Sequence, residues 1–421
     1  MDDDSPVPER LARTRKRYDS DVDRRSFLRR STATGAAAAT VASAGCAGLT
    51  DDTDDPVDDA PRTVFVFNTG DSTVSLIDVS TDQVFDTVHI GATSSYPANQ
   101  YATVERDDET LWINVEGGVR AFTPDSLDSV ARVDTGADAN WQELTPDGSS
   151  LIVSAREPTH AQYRIDADSD SETFGEVTGE IDRGDAGPCD VTIGPDGAYA
   201  YVPDLRADTL TVLDLDSFEI AAQVPVDPVL DGVDDVNSYM GTAAWSGEWL
   251  AVENAEGDHG TESIWDISDP TAPEERHRFT EADDLGAGAL TSEIGPDSET
   301  LYVFTRNSND VTVIDVPELA VIDRIDLGGS ALVGSWDPDR EKLYIPVQDS
   351  DEVAVLDHEA GEITARIDVG AAPVGATARR VRPEVDTGAR LRASLSQLGF
   401  GFDDDDTTFC YGDCYCGSSC E

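Results

Sequence analysis

The sequence predicts an all-β chain, a seven-bladed β-propeller of four-stranded blades closed by a C-terminal strand. Three observations lead there. From Arg62 to Pro383 short apolar segments alternate with turn residues at a spacing of roughly forty residues, the period of blade-type repeats. An apolar strand occurs seven times, at 64–67, 111–113, 151–153, 200–202, 250–252, 301–303 and 343–345. A second apolar strand follows each after a polar loop, ending in Asp78, Asp166, Asp214, Asp266, Asp315 and Asp357, with 119–122 standing in without the Asp in the second copy.

In chain order, the first element is an address. Arg24, Arg25, Arg29 and Arg30 precede an Ala-rich apolar stretch over 36–44, the layout of an export signal. The stretch is too short and too weakly apolar to span a bilayer. Arg24 and Arg25 followed by Phe27 and Leu28 resemble the twin-arginine translocation motif. Ser43-Ala44-Gly45-Cys46 is similar to a lipobox, although Ser43 stands where an aliphatic residue is usual; that resemblance implies a lipidated Cys46. Residues 1–46 are therefore expected to be a signal peptide with a lipobox-like end. Residues 47–61, dominated by Asp, cannot bury enough apolar surface to fold and are expected to be a disordered tether. The expected location is the extracellular face of the cytoplasmic membrane, reached through a lipid anchor.

The chain carries 29 Lys and Arg against 86 Asp and Glu, a net charge of -57, which repels itself strongly at low ionic strength. This acidity resembles that of proteins from extremely halophilic archaea. It argues against nucleic acid as a partner, because phosphate binding needs a basic footprint.

Within 62–383 each unit has recognisable parts. Pro146-Asp147-Gly148, Pro195-Asp196-Gly197, Pro296-Asp297-Ser298 and Pro338-Asp339-Arg340 read as tight turns before an apolar strand. The outer strands are the weaker segments 84–90, 219–226, 321–327 and 363–369. The first copy lacks its innermost strand, while 374–378 is an orphan strand after the seventh; pairing the two closes the ring and removes free sheet edges. The units resemble the YVTN-type propeller repeat, most closely at 195–214 and 301–315. Seven-bladed lactonases and quinone- or haem-dependent oxidoreductases share similar folds.

In such a blade the loop between second and third strands shares a ring face with the connection to the next blade. On that face the sequence places Arg156, Glu157 and His160, Asp204 and Arg206, Arg306, and a long fifth-copy loop over 253–262 with Asp258 and His259. The connections add Tyr96, Asn99, Trp141, Cys189, Asp190, Tyr239 and Trp336. Of these, Arg156, His160, Cys189, Arg206, His259, Arg306, Trp141 and Trp336 are the candidate ligand-binding residues. His is the commonest neutral ligand for transition metals, and Arg suits carboxylates and phosphates. No nucleophile elbow, Gly-rich phosphate loop or His-Glu-x-x-His helix occurs after the signal, which argues against the common hydrolases and NTP enzymes.

Residues 384–421 form a C-terminal tail. A short helix is expected over 391–398, then an acidic run over 403–406, then Cys410, Cys414, Cys416 and Cys420. Those four thiols fit two disulfides or a soft four-thiolate site for zinc or copper. The expected function is an extracytoplasmic, membrane-tethered scaffold for an unknown protein or small-molecule ligand. The alternatives are a metal-binding or redox accessory protein using the Cys cluster, and a propeller enzyme such as a lactonase or oxidoreductase. No catalytic residue is assigned.

Overall fold

The structure, a computed structural model, describes residues 61–98 and 110–385. Seven antiparallel sheets form the blades of a propeller. Six have four strands, each running outward from an inner strand. Blade 3 is Asn140–Leu144, Ser150–Ala155, Ala161–Asp166 and Val177–Asp182. Blade 4 is Thr192–Ile193, Tyr199–Asp204, Thr209–Asp214 and Glu219–Pro225. Blade 5 is Asn237–Ala243, Trp249–Glu256, His259–Asp266 and Glu274–Phe279; blade 6 is Ala289–Ile294, Thr300–Thr305, Asp310–Asp315 and Ala320–Asp326. Blade 7 is Ser335–Trp336, Lys342–Val347, Glu352–Asp357 and Glu362–Asp368. In blade 2 the described residues give three strands, Leu111–Val115, Gly118–Phe122 and Ser129–Asp134; at its inner edge Pro97 bridges Ile113, and residues 99–109 that follow lie outside the described residues.

Blade 1 joins the two ends of the ring. Its inner strand is Pro373–Arg379, paired with Thr63–Asn68, followed by Thr73–Asp78 and Gln83–Val88. Pairing Thr63 with Arg379 and Phe67 with Gly375 closes the circle noncovalently.

The core lies in the seams. Each of seven apolar clusters draws its side chains from two neighbouring blades. Because successive side chains of a strand point to opposite faces, Val64, Val66 and Ile77 pack against blade 7 while Phe65, Phe67 and Leu76 pack against blade 2. Second and third strands are thus apolar on both faces. Outer strands have one wet face and alternate, as in Glu362–Asp368.

The turns explain the Pro-Asp-Gly signals. The Gly148 amide donates to the Thr145 carbonyl at 2.7 Å, and the Asp147 carboxylate accepts from the Ser149 amide at 3.0 Å. Gly148 and Gly197 take φ of 68° and 69°; Ser298 and Arg340 adopt the same left-handed backbone at 59°. The Asp that ends the third strand in every blade but the second has a local role too, accepting a backbone N–H two or three residues on, as Asp78 does from Ser80 and Asp214 from Ser217. The helices among the described residues are two short 3-10 turns, Gly184–Ala186 and Glu281–Asp283; none is long and apolar enough to cross a membrane.

Candidate ligand site at the propeller mouth

The loops between second and third strands and the connections between blades share one face of the ring, here called the mouth. Backbone bonds tie the two sets together, Arg156 N to Ala139 O at 2.9 Å, Arg306 N to Gly288 O at 3.0 Å and Gln348 N to Ser330 O at 2.9 Å. A cavity of about 760 Å³ opens there across blades 1, 2, 3, 6 and 7. Its wall carries Trp141, Arg306, Asn114, Asn140, Ser95 and Gln348 among others.

Local folding fixes these side chains. Asn114 accepts from the Tyr96 amide at 2.9 Å and from the Ser94 hydroxyl, pinning the blade 1 to blade 2 connection. Asn140 accepts from Thr135 and donates to Val115 and Ala137 carbonyls, pinning the next. Trp141 stands edge-on to Tyr96 at 4.6 Å between ring centres. Arg306 is exposed; its Nε donates to Ser330 Oγ at 3.1 Å, and it pairs with no carboxylate among the described residues.

The other candidates scatter. Arg156, His160 and Arg206 meet around Glu157, which is ion-paired to Arg206 and lies 3.4 Å from Arg156; His160 Nε2 is 3.5 Å from Arg206. The two arginines are engaged by a carboxylate rather than free for a ligand. Cys189 is buried beside Arg156, and burial pushes its thiol up to about 12, so it is inert at the face it was expected to line. His259 lies on the rim, 57% exposed and 3.1 Å from Glu281, away from His160. Among the described residues no three His, Cys, Asp or Glu side chains converge as a metal site.

Two expectations are corrected. Trp336 is not at the mouth: it ends the short inner strand of blade 7 opposite Leu343, near the turn at Asp337, and packs on Tyr302 and His358 at the other end of the ring. The fifth-copy loop over 253–262 is a hairpin, in which strands Trp249–Glu256 and His259–Asp266 leave Gly257 and Asp258 alone in the turn. Arg24, Arg25, Phe27, Leu28, Cys46, Asn99 and the four tail cysteines lie outside the described residues.

Acidic groups gather in the ring interior, among them Asp190, expected at the mouth, and Glu253 and Glu262, expected in the fifth-copy loop. Asp190 is wholly buried, accepts from the Gly241 amide at 3.1 Å, and is pushed up to about 7 by burial against its bonds from Gly241, Val191 and Tyr96. Glu253 and Glu262 are wholly buried; burial pushes Glu253 up to about 8 and Glu262 well above the usual range. Glu293, partly exposed, is raised by desolvation and then by the carboxylates of Glu143, Glu253 and Asp190. Tyr239 beside them donates to the Ala289 carbonyl.

These features belong to a propeller with a polar mouth cavity. No protein-family model matches the chain. No curated protein matches it either. Solved structures do match in fold. The chain is similar to the periplasmic gluconolactonase of Pseudomonas aeruginosa, with a TM-score of 0.60 and 18% identity over 76% of this chain and 99% of that one. A protein from Bacteroides fragilis, provisionally assigned as a 6-phosphogluconolactonase, gives 0.59 and 16% over 77% and 99%. Hydrazine synthase of Kuenenia stuttgartiensis gives 0.54 and 17% over 74% and 99%. At these identities the likeness shows the fold alone.

Proposed function

We propose that this chain is an extracytoplasmic, membrane-tethered propeller whose mouth binds a small polyhydroxylated acid. The cavity of about 760 Å³ carries the reading. Its polar wall offers hydroxyl and amide partners, Trp141 offers a ring face for the C–H side of a polyol, and Arg306 offers a guanidinium for a carboxylate. The twin-arginine-like run and Cys46 support the location, and the Asp-rich 47–61 supports the tether.

A lactonase is the second reading. It is favoured by carboxyls that keep protons near neutrality, Asp190 above all, and by the two lactonase-fold neighbours. Binding ranks first because Asp190 is wholly buried and lines no part of the cavity wall.

Calorimetric titration of the full chain with D-gluconate tests both. Saturable binding is expected, with Kd raised at least about tenfold, near 1.4 kcal/mol, in Trp141→Ala and in Arg306→Ala. Absence of binding, or binding by both variants as tight as that of wild type, overturns the proposal. If glucono-δ-lactone is instead hydrolysed above its spontaneous rate, and Asp190→Asn loses that rate, the enzymatic reading replaces it.

A further inference from the structure

The blade 5 hairpin sets Glu253 and Glu262 directly opposite each other in register. They share the strand face that carries Ala251 and Ile264 into the seam with blade 6. Both are 0% exposed, and by distance and angle none of their four carboxylate oxygens closes a hydrogen bond among the described residues. The Ser292 hydroxyl of blade 6 is the polar side chain nearest Glu253 and eases its ionisation, but less than burial opposes it. Neither Glu lines the mouth cavity or the groove on the opposite face.

The groups around the pair do not neutralise it. Tyr239 faces it from the inner strand of blade 5, Glu293 from blade 6, and Asp190 from the connection entering blade 4. Cys189 adds a thiol beside Tyr239. The cation acting on Glu262 is Arg278 of the outer strand, which already donates through Nη1 to Glu256 and through Nε to Glu275, both at 2.6 Å. Two adjacent carboxylates in a dry seam, whose acting cation is already ion-paired to Glu256 and Glu275, cannot both be ionised.

We propose that Glu253 and Glu262 form a proton-loaded lock on the seam between blades 5 and 6, closed while the pair keeps its protons and loosened when alkali removes them. The lock is independent of what the mouth binds. A carboxyl whose pKa is higher folded than unfolded binds its proton more tightly in the folded state. Its contribution is therefore full below the unfolded value of 4.5 and is lost as pH rises through the folded value of about 8.

The test is hydrogen exchange on the full chain, corrected for intrinsic rate, between about pH 6 and about pH 9.5. Wild type is expected to lose protection first in Ala289–Ile294 as pH passes about 8, while Glu253→Gln/Glu262→Gln keeps it throughout. Unchanged protection in wild type, or the same loss in the double Gln chain, overturns the proposal. Should that chain fail to fold, infrared difference spectra of wild type and of each single Gln variant decide. A protonated-carboxyl band at neutral pH, lost in alkali and diminished in each single variant, supports the lock, and its absence overturns it.

Discussion

Arg183 and Asp204 show how this fold tolerates charge in its interior. Their side chains are 1% and 0% exposed, 2.7 Å apart, and Arg183 also donates to Thr211 at 2.7 Å. Arg278 and Glu256 repeat the arrangement one blade on, with Thr261 and the Val229 and Leu230 amides completing the carboxylate. Removing one partner strands the other. Arg183→Met is expected to cost about 3–5 kcal/mol in chemical denaturation, and Arg183→Met/Asp204→Asn to recover much of it. A loss under about 1 kcal/mol in the single variant would mean that Thr209 and Thr211 satisfy Asp204 by themselves. Single residues were the least legible part of the sequence. Arg306, in a loop, and Trp141, at the mouth end of an inner strand, reach the cavity because both positions follow from strand count. Glu253 and Glu262 were hidden, since charge suggests a loop; yet Gly257-Asp258 between two runs of even length is a two-residue hairpin signal. Trp336 was misplaced because nothing in the sequence shows that the inner strand of blade 7 has shrunk to two residues.

At the scale of the element, the closing strand Pro373–Arg379 is the one whose partners are most distant in sequence. Ala376 lies opposite Val66 and is 1% exposed in the seam with blade 7. Ala376→Asp buries an uncompensated charge there, with an expected cost of about 3–5 kcal/mol and a Tm lower by roughly 10 °C. Ile322, 58% exposed on the outer strand of blade 6, is the control; Ile322→Asp should change stability by no more than about 0.5 kcal/mol. Equal Tm shifts would show that the ring does not depend on its clasp. Elements were highly legible, because turn chemistry and period-2 patterning act over a few residues.

Across the whole molecule, polar side chains of the inner strands stitch one blade to the next. Glu143 accepts from Ile193 N at 2.7 Å, Thr242 donates to Ser292 O at 2.8 Å, Thr291 to Leu332 O, and Thr377 to Ala98 O at 3.0 Å. This lacing works against the repulsion of a chain with net charge -57. The Debye length shrinks from about 10 Å at 0.1 M to about 3 Å at 1 M, so salt should relieve that repulsion. The denaturation midpoint is expected to rise steadily between about 0.1 M and about 3 M KCl; a midpoint independent of salt over that range would mean that the surface charge carries no folding penalty.

The clasp of blade 1 also sets an orientation. Thr63 and Arg379 pair at the end of the blade remote from the mouth, where Arg62 and Arg380 both reach Asp339, and Arg382 reaches Asp78 and stacks on Phe85. Both ends of the ring are thus riveted to its underside. The described chain therefore enters and leaves the ring on the face opposite the opening, so the two ends of the circle are fastened where they do not crowd the mouth.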